Sequence, residues 1–427
     1  MIEDILFRQG IYYLSKAASP SDVMVAWSKM GHTAIGKKLI VSLDHYHKSL
    51  YTPELVRLID DEDSHCIPYF ESEKLFCLDE ELLSDMLQSE DGKTHFGVDY
   101  SIAFDTNYAS YIHKFVNNEW TGLSNEVFSV IDILIRHNFQ YDYLFYMFEN
   151  YKNTFDPNVS FDEKAIKERK EKLFLNLVSL EMFKNIDNEE YSKHKKIRYR
   201  ISKTEAYLMA DQIYNGIFHS SQAKEFLNYF QTTQRHMVLL IIGIMQIKFE
   251  SKLPPVKKTE KLFRYVNDIV GVYFEREMVI AYKYFVNNST VKMLNRLNRG
   301  MRPDKLLQLI ENIAWDFSAP RILEHNLLTI SRGRYFIPFF LSNDAQLREM
   351  LRLYQVKGII FQEENLFYVP FTRENVGDYF QNQGCDIDKF FLPEANVKRR
   401  SVHEYVSENI ESVIREEFQK LLKILDY

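Results

Sequence analysis

Two aspartates stand in the same kind of place. Asp105 follows Val98–Phe104, which reads as a short strand ending on the apolar Ile102-Ala103-Phe104, and leads through Thr106-Asn107 into a helix-like run from Tyr108. Asp344 follows Tyr335–Leu341 and Ser342-Asn343, and leads into a helix-like run from Ala345. An acid that ends a strand lies at the C-terminal edge of its sheet, where polar chemistry collects in α/β folds. If the two strands are parallel neighbours, both acids reach one edge. Clustered carboxylates suit hard, oxygen-preferring Mg²⁺ or Mn²⁺. Such an ion activates water and neutralises charge on a phosphodiester. A plainer role stays open for Asp105, that of a turn or cap residue.

Further acids fall between these two. Glu149 sits in the aromatic stretch Asp142–Tyr151, where a glutamate is either buried and paired or turned to a site. Asp316 lies in Ala314–Arg321, just ahead of the second strand. Glu181, Glu205 and Glu311 rival Glu149 as a middle acid. Arg321, His113 and His325 are candidates for touching a phosphate or leaving group, with structural roles the commoner alternative. Lys195, Lys196, Arg198 and Arg200 form a basic run around Tyr199. Such a run can grip phosphates and stack a base. A solvated charged loop is the more frequent outcome. No Walker A or GxGxxG pattern occurs, which argues against a nucleotide-driven motor or a Rossmann enzyme. No cysteine nucleophile or Ser-His-Asp signature competes.

The chain that must position these residues has 427 of them, enough for two or three domains. It is 46% hydrophobic and 26% charged, ordinary for a globular protein. Its net charge of −7 excludes a general polyanion binder, so nucleic acid must be met by local patches. Cys66, Cys77 and Cys385 show no metal spacing and fit a reducing compartment. The most apolar run, Met237–Ile247, is shorter than the roughly 20 residues that span a bilayer. The N-terminus has no signal-peptide pattern. The reading is a soluble, cytoplasmic protein.

Alternation and turn signals predict strands at 38–42, 98–104, 335–341, 357–361 and 365–369. Residues 161 to 299 carry helical spacing without a strand signal, which predicts one all-α module. Amphipathic helices are predicted over 304–315, 345–354 and 402–425.

The order of these pieces resembles the PIN-domain nuclease family. The resemblance rests on Phe104-Asp105-Thr106-Asn107, a helical Glu, an Asp in a later helix, and Ser342-Asn343-Asp344 after a strand. It covers roughly residues 98 to 151 and 300 to 361. It implies that Asp105, Glu149, Asp316 and Asp344 are the catalytic and metal-binding acids. Asn107, Arg321 and Asn343, with Lys195, Lys196, Arg198 and Arg200, become the substrate-binding set. The implied activity is metal-dependent RNA cleavage with Mg²⁺ or Mn²⁺, often in a toxin or defence setting and with a regulatory or inhibitory protein partner. The expected fold is α/β, a PIN-like core whose parallel sheet is flanked by helices. A large all-α insertion interrupts it, and an α+β region precedes it. The expected boundaries are 1–97, 98–151, 152–299 and 300–427. PIN domains are usually compact, so the long insertion is a departure. The rival reading is a catalytically inactive PIN-like scaffold that binds RNA or protein.

Overall fold

A computed structural model describes residues 2–59, 64–90, 94–154, 163–250, 252–329 and 333–426. The fold is mixed α/β, mostly helical, with two small four-stranded sheets. The strands are β1 (Lys38–Ser42), β2 (Cys66–Pro68), β3 (Leu75–Leu78), β4 (Val98–Phe104), β5 (Tyr141–Asp142), β6 (Tyr335–Leu341), β7 (Gly358–Gln362) and β8 (Phe367–Phe371).

The first sheet has the order β2-β6-β4-β5. Strands β4 and β6 run parallel in continuous register from Val98↔Tyr335 to Phe104↔Leu341. Every residue of β6 is buried, as befits a central strand covered on both faces. The two-residue β5 adds a second parallel neighbour to β4, and β2 closes the other side antiparallel to β6. The C-terminal ends of β4 and β6 therefore share one edge.

The second sheet, β3-β1-β7-β8, is antiparallel throughout. It joins strands from the first eighty residues to strands after residue 357. Residues 1–97 thus contribute to both sheets and do not stand apart from the rest. Lys357 reinforces the join. Its buried ammonium donates to the carbonyls of Ser15 (2.8 Å) and Ala17 (2.6 Å), which close the N-terminal helix Ile2–Lys16.

Between β5 and β6 every described regular element is helical. The expected helical spacing is met with different breaks. The apolar run Met237–Ile247 lies buried within one helix, Ser221–Glu250, which packs on helices Pro303–Thr329 and Pro393–Ile424. Helices Pro255–Tyr265 and Glu275–Val286 are separated by a π-helical turn, Val266–Val270, and a left-handed Gly271. These helices share one apolar core with the first sheet, because β6 and the Ser221–Glu250 helix bury side chains into the same cluster. Buried ion pairs pin them. Arg276 meets Glu324 (2.9 Å), and Arg321 meets both oxygens of Glu277 (2.7 Å each).

Candidate functional site

The parallel pairing of β4 and β6 decides where the acids go. The Asp105 amide continues the ladder, donating to the Leu341 carbonyl (3.1 Å). The chain then turns, and Asp105 becomes the N-cap of helix Thr106–Val116, with Oδ1 accepting from the Tyr108 amide (2.7 Å). Its Oδ2 accepts from the Ser342 hydroxyl (2.7 Å). That same hydroxyl accepts from the Asp344 amide (3.0 Å). Asp344 in turn caps helix Ala345–Arg352, its Oδ1 accepting from the amides of Gln346 (2.8 Å) and Leu347 (3.2 Å). Ser342 is thus the link between the two aspartates.

Glu149 comes to the same edge from helix Leu144–Thr154. Its Oε2 accepts from the Thr106 hydroxyl (2.5 Å) and the Thr106 amide (3.3 Å). Asn150 also reaches Thr106, its Nδ2 donating to the hydroxyl (2.9 Å). Asp105 is buried, and burial pushes its carboxyl from 3.8 up to about 7, with the Glu149 charge adding to the rise. The donors from Tyr108, Ser342 and Asn343 pull the other way without winning. Around this edge, Asn343 donates to the Tyr111 hydroxyl (3.1 Å), and buried Arg348 donates to the Ser342 carbonyl (2.9 Å).

A cavity of about 250 Å³ adjoins the Thr106–Asn150 contact. Thr106, Ser110, Asn150 and Asn176 line it together with Arg169 and Lys172 from helix Glu163–Lys184. Two cations beside the first turn of a helix make an anion-friendly pocket. Sequence reasoning missed it. Its signal was the spacing Arg169, Lys172, Asn176, which puts three polar groups on one helical face.

The remaining candidates divide. Asp316 is half-buried midway along helix Pro303–Thr329, which packs along β6. Among the described residues no group of three or more His, Cys, Asp or Glu is gathered so as to hold a metal ion. The four acids therefore do not form one ligand set. Arg321 is not available to substrate, because Glu277 holds its guanidinium in the interior. Asn107 is exposed beside the edge. Lys195, Lys196, Arg198 and Arg200 lie in an exposed loop stitched by the Ile186↔Tyr199 bridge. Lys195 is paired with Asp132 (2.5 Å), and Arg200 donates to Asn188 (2.7 Å). His113 bonds Ser179 (2.8 Å), and His325 stacks on Phe226 with its imidazole pushed by burial to about 3. Of the rival acids, Glu205 completes an exposed capping box, Glu311 pairs with Arg235 (2.7 Å), and Glu181 is buried beside Tyr143.

No family model, no curated protein and no solved structure matches the chain. No helix among the described residues is long and apolar enough to cross a membrane.

The link through Ser342 carries a prediction. Ser342→Ala removes a buried donor to Asp105 and an acceptor for the Asp344 amide. It is expected to cost about 1–3 kcal/mol of stability at pH 8, where the carboxylate most needs its donor. Urea denaturation of both proteins at pH 8 and pH 5 checks this, with a smaller difference expected at pH 5.

Proposed function

We propose that this protein is a metal-dependent ribonuclease of PIN-like type working at the β4–β6 edge. The observation that carries the reading is the parallel β4–β6 pairing, which sets Asp105 and Asp344 at one edge with Glu149 against Thr106. A Mg²⁺ ion needs only one or two carboxylates, the rest of its shell being water and phosphate oxygens. Asp105 and Glu149 fit that smaller requirement, although the four-acid set is not formed. Bound there, the ion would supply an activated water and charge neutralisation. Arg169 and Lys172 would hold a phosphate of the substrate beside the acids. Thr106 and Asn150 orient Glu149, and Tyr108 and Ser342 orient Asp105.

A second reading is a PIN-like scaffold that binds RNA without cutting it. Its support is that both aspartates are engaged as helix caps. The test is incubation of the purified protein with total cellular RNA in Mg²⁺ or Mn²⁺, with EDTA as control. Cleavage abolished by EDTA supports the nuclease. Binding of RNA without cleavage supports the scaffold, and EDTA-resistant cleavage removes the metal from the mechanism. Lys172→Ala is expected to weaken RNA binding about tenfold or less, as loss of one exposed phosphate contact would. Filter binding at two salt concentrations measures it.

A further inference from the structure

A second cavity, of about 810 Å³, opens between the N-terminal helix, β8 and the start of helix Pro393–Ile424. None of the residues of the β4–β6 edge lines it. Its volume is that of a small-molecule site. Arg8, Arg399 and Arg400 give it a cationic wall, beside His403.

The state of two arginines says what it would take. Arg399 is held entirely by neutral acceptors. Its Nη1 donates to Asn267 Oδ1 (3.0 Å) and to the Phe390 carbonyl (3.3 Å), and its Nη2 to Asn396 Oδ1 (2.6 Å). These contacts fix the guanidinium without cancelling its charge. Burial and the neighbouring Arg400 both hold it below the ordinary arginine range. Arg400 makes no hydrogen bond or ion pair among the described residues. Two adjacent guanidinium groups, neither in an ion pair among the described residues, make this wall attractive to an anion, with Arg400 exposed and Glu404 one helical turn away as the opposing charge.

The arginines lie beside aromatic rings. Tyr273 meets Phe391 edge-on at 4.9 Å between ring centres, and Arg399 lies over Phe391 at 5.3 Å. Two glutamates also line the cavity, Glu404 and Glu275. Glu275 accepts from the Tyr354 hydroxyl (2.7 Å), and burial raises its carboxyl. Gly271, which ends the π-helical turn Val266–Val270, also lines the cavity. A Cβ on Gly271 would come within 2.5 Å of the His403 amide nitrogen, so glycine is required for this close approach. Single π turns recur at ligand sites because they displace backbone from a regular helix.

We infer that this cavity binds a phosphorylated ligand carrying a planar ring, a nucleotide, with its phosphates on Arg399 and Arg400 and its ring against Tyr273 and Phe391. The site lies on the second sheet's side of the molecule and does not depend on the proposed nuclease edge. Its ligand would tie the N-terminal helix to helix Pro393–Ile424.

Titration calorimetry on the full chain, in EDTA so that no cleavage intervenes, tests this with ATP, GTP, AMP, adenosine and pyrophosphate. At least one nucleotide is expected to bind at submillimolar concentration and to raise the melting temperature. Adenosine is expected to bind at least about tenfold more weakly, since charge-assisted bonds to phosphate dominate such sites. Arg400→Ala is expected to weaken the nucleotide about tenfold or more while leaving the free protein's melting temperature unchanged, because that side chain has no protein partner to lose. Failure of every nucleotide to bind at millimolar concentration overturns the inference. So does binding that survives both Arg400→Ala and Arg399→Ala. Pyrophosphate binding as tightly as any nucleotide overturns the aromatic half of it.

Discussion

Asp105→Asn and Glu149→Gln are each expected to lower Mg²⁺-dependent RNA cleavage by at least about 100-fold, the usual cost of removing one charged group aimed at a reacting centre. The amides keep size and shape, and they remove the charge that a divalent ion needs. Asparagine is as good an N-cap as aspartate, so the start of helix Thr106–Val116 survives the change. Asp344→Asn and Asp316→Asn discriminate between two versions of the site. If all four acids shared the ions, all four variants would fall together. The structure ties Asp105 to Glu149 electrostatically and gives Asp344 a capping role, and no group of three acids is gathered among the described residues. The expected loss for Asp344→Asn and Asp316→Asn is therefore smaller, about tenfold, the effect of a supporting group. Single-turnover cleavage rates of the four variants measure this. Full activity in Asp105→Asn would remove this edge from consideration.

The parts of the fold that could be read from sequence are those with local signals. Val98–Phe104 and Tyr335–Leu341 announce themselves by apolar runs that end on a polar turn, and both are strands. Their pairing was an inference from shared design, and it holds because the end of β4 (Ser101–Phe104) and all of β6 are buried and need cover on two faces. Three strands of the second sheet, β1, β7 and β8, were expected from sequence, but their pairing was not legible. Strand β1 pairs with β7, some three hundred residues away, and nothing local in Lys38–Ser42 names its partner. Short strands such as β2 and β5 lack the length for a periodic signal.

The site shows the same division. Asp105, Glu149 and Asp344 could be picked by residue type and order. What each one touches depends on tertiary contact. Ser342 matters because β6 is in register with β4, and Thr106 because helix Leu144–Thr154 lies against it. Arg169 and Lys172 read as ordinary charges in a lysine-rich helix until that helix packs beside Thr106 and Asn150. The basic run Lys195–Arg200 drew attention in sequence, yet the fold brings Asp132 to Lys195 and Asn188 to Arg200. Arg321 is the plainest case, because Glu277 lies 44 positions away and only the packed helices bring the two together.

The stability gain of Asp105→Asn over wild type is expected to grow with pH, because wild-type Asp105 titrates in the direction opposite to that of an ordinary paired aspartate. In the folded protein the Asp105 carboxyl titrates at about 7, against 3.8 for an ordinary aspartate, chiefly because it is buried. Between these values the folded state holds a proton that the unfolded state has lost. Folding stability must then fall as pH rises from about 4 to 7. Above pH 7 both states are ionised and the cost is complete. At about 1.4 kcal/mol per pKa unit, it amounts to about 4 kcal/mol as an upper figure. Asparagine has no charge to bury, so Asp105→Asn escapes the penalty. It is expected to be more stable than wild type by about 2–4 kcal/mol at pH 8, measured in EDTA, with the gap closing toward pH 4.5. Glu149→Gln should recover only a small part of that gain, since burial is the larger cause and the Glu149 charge the lesser. Urea titrations of the three proteins at pH 4.5, 6 and 8 provide the measurement. A constant difference across pH would mean that Asp105 does not carry its raised titration into the folded state. A gain at high pH would instead mark a carboxylate kept at the edge against its own solvation, as a residue retained for chemistry would be.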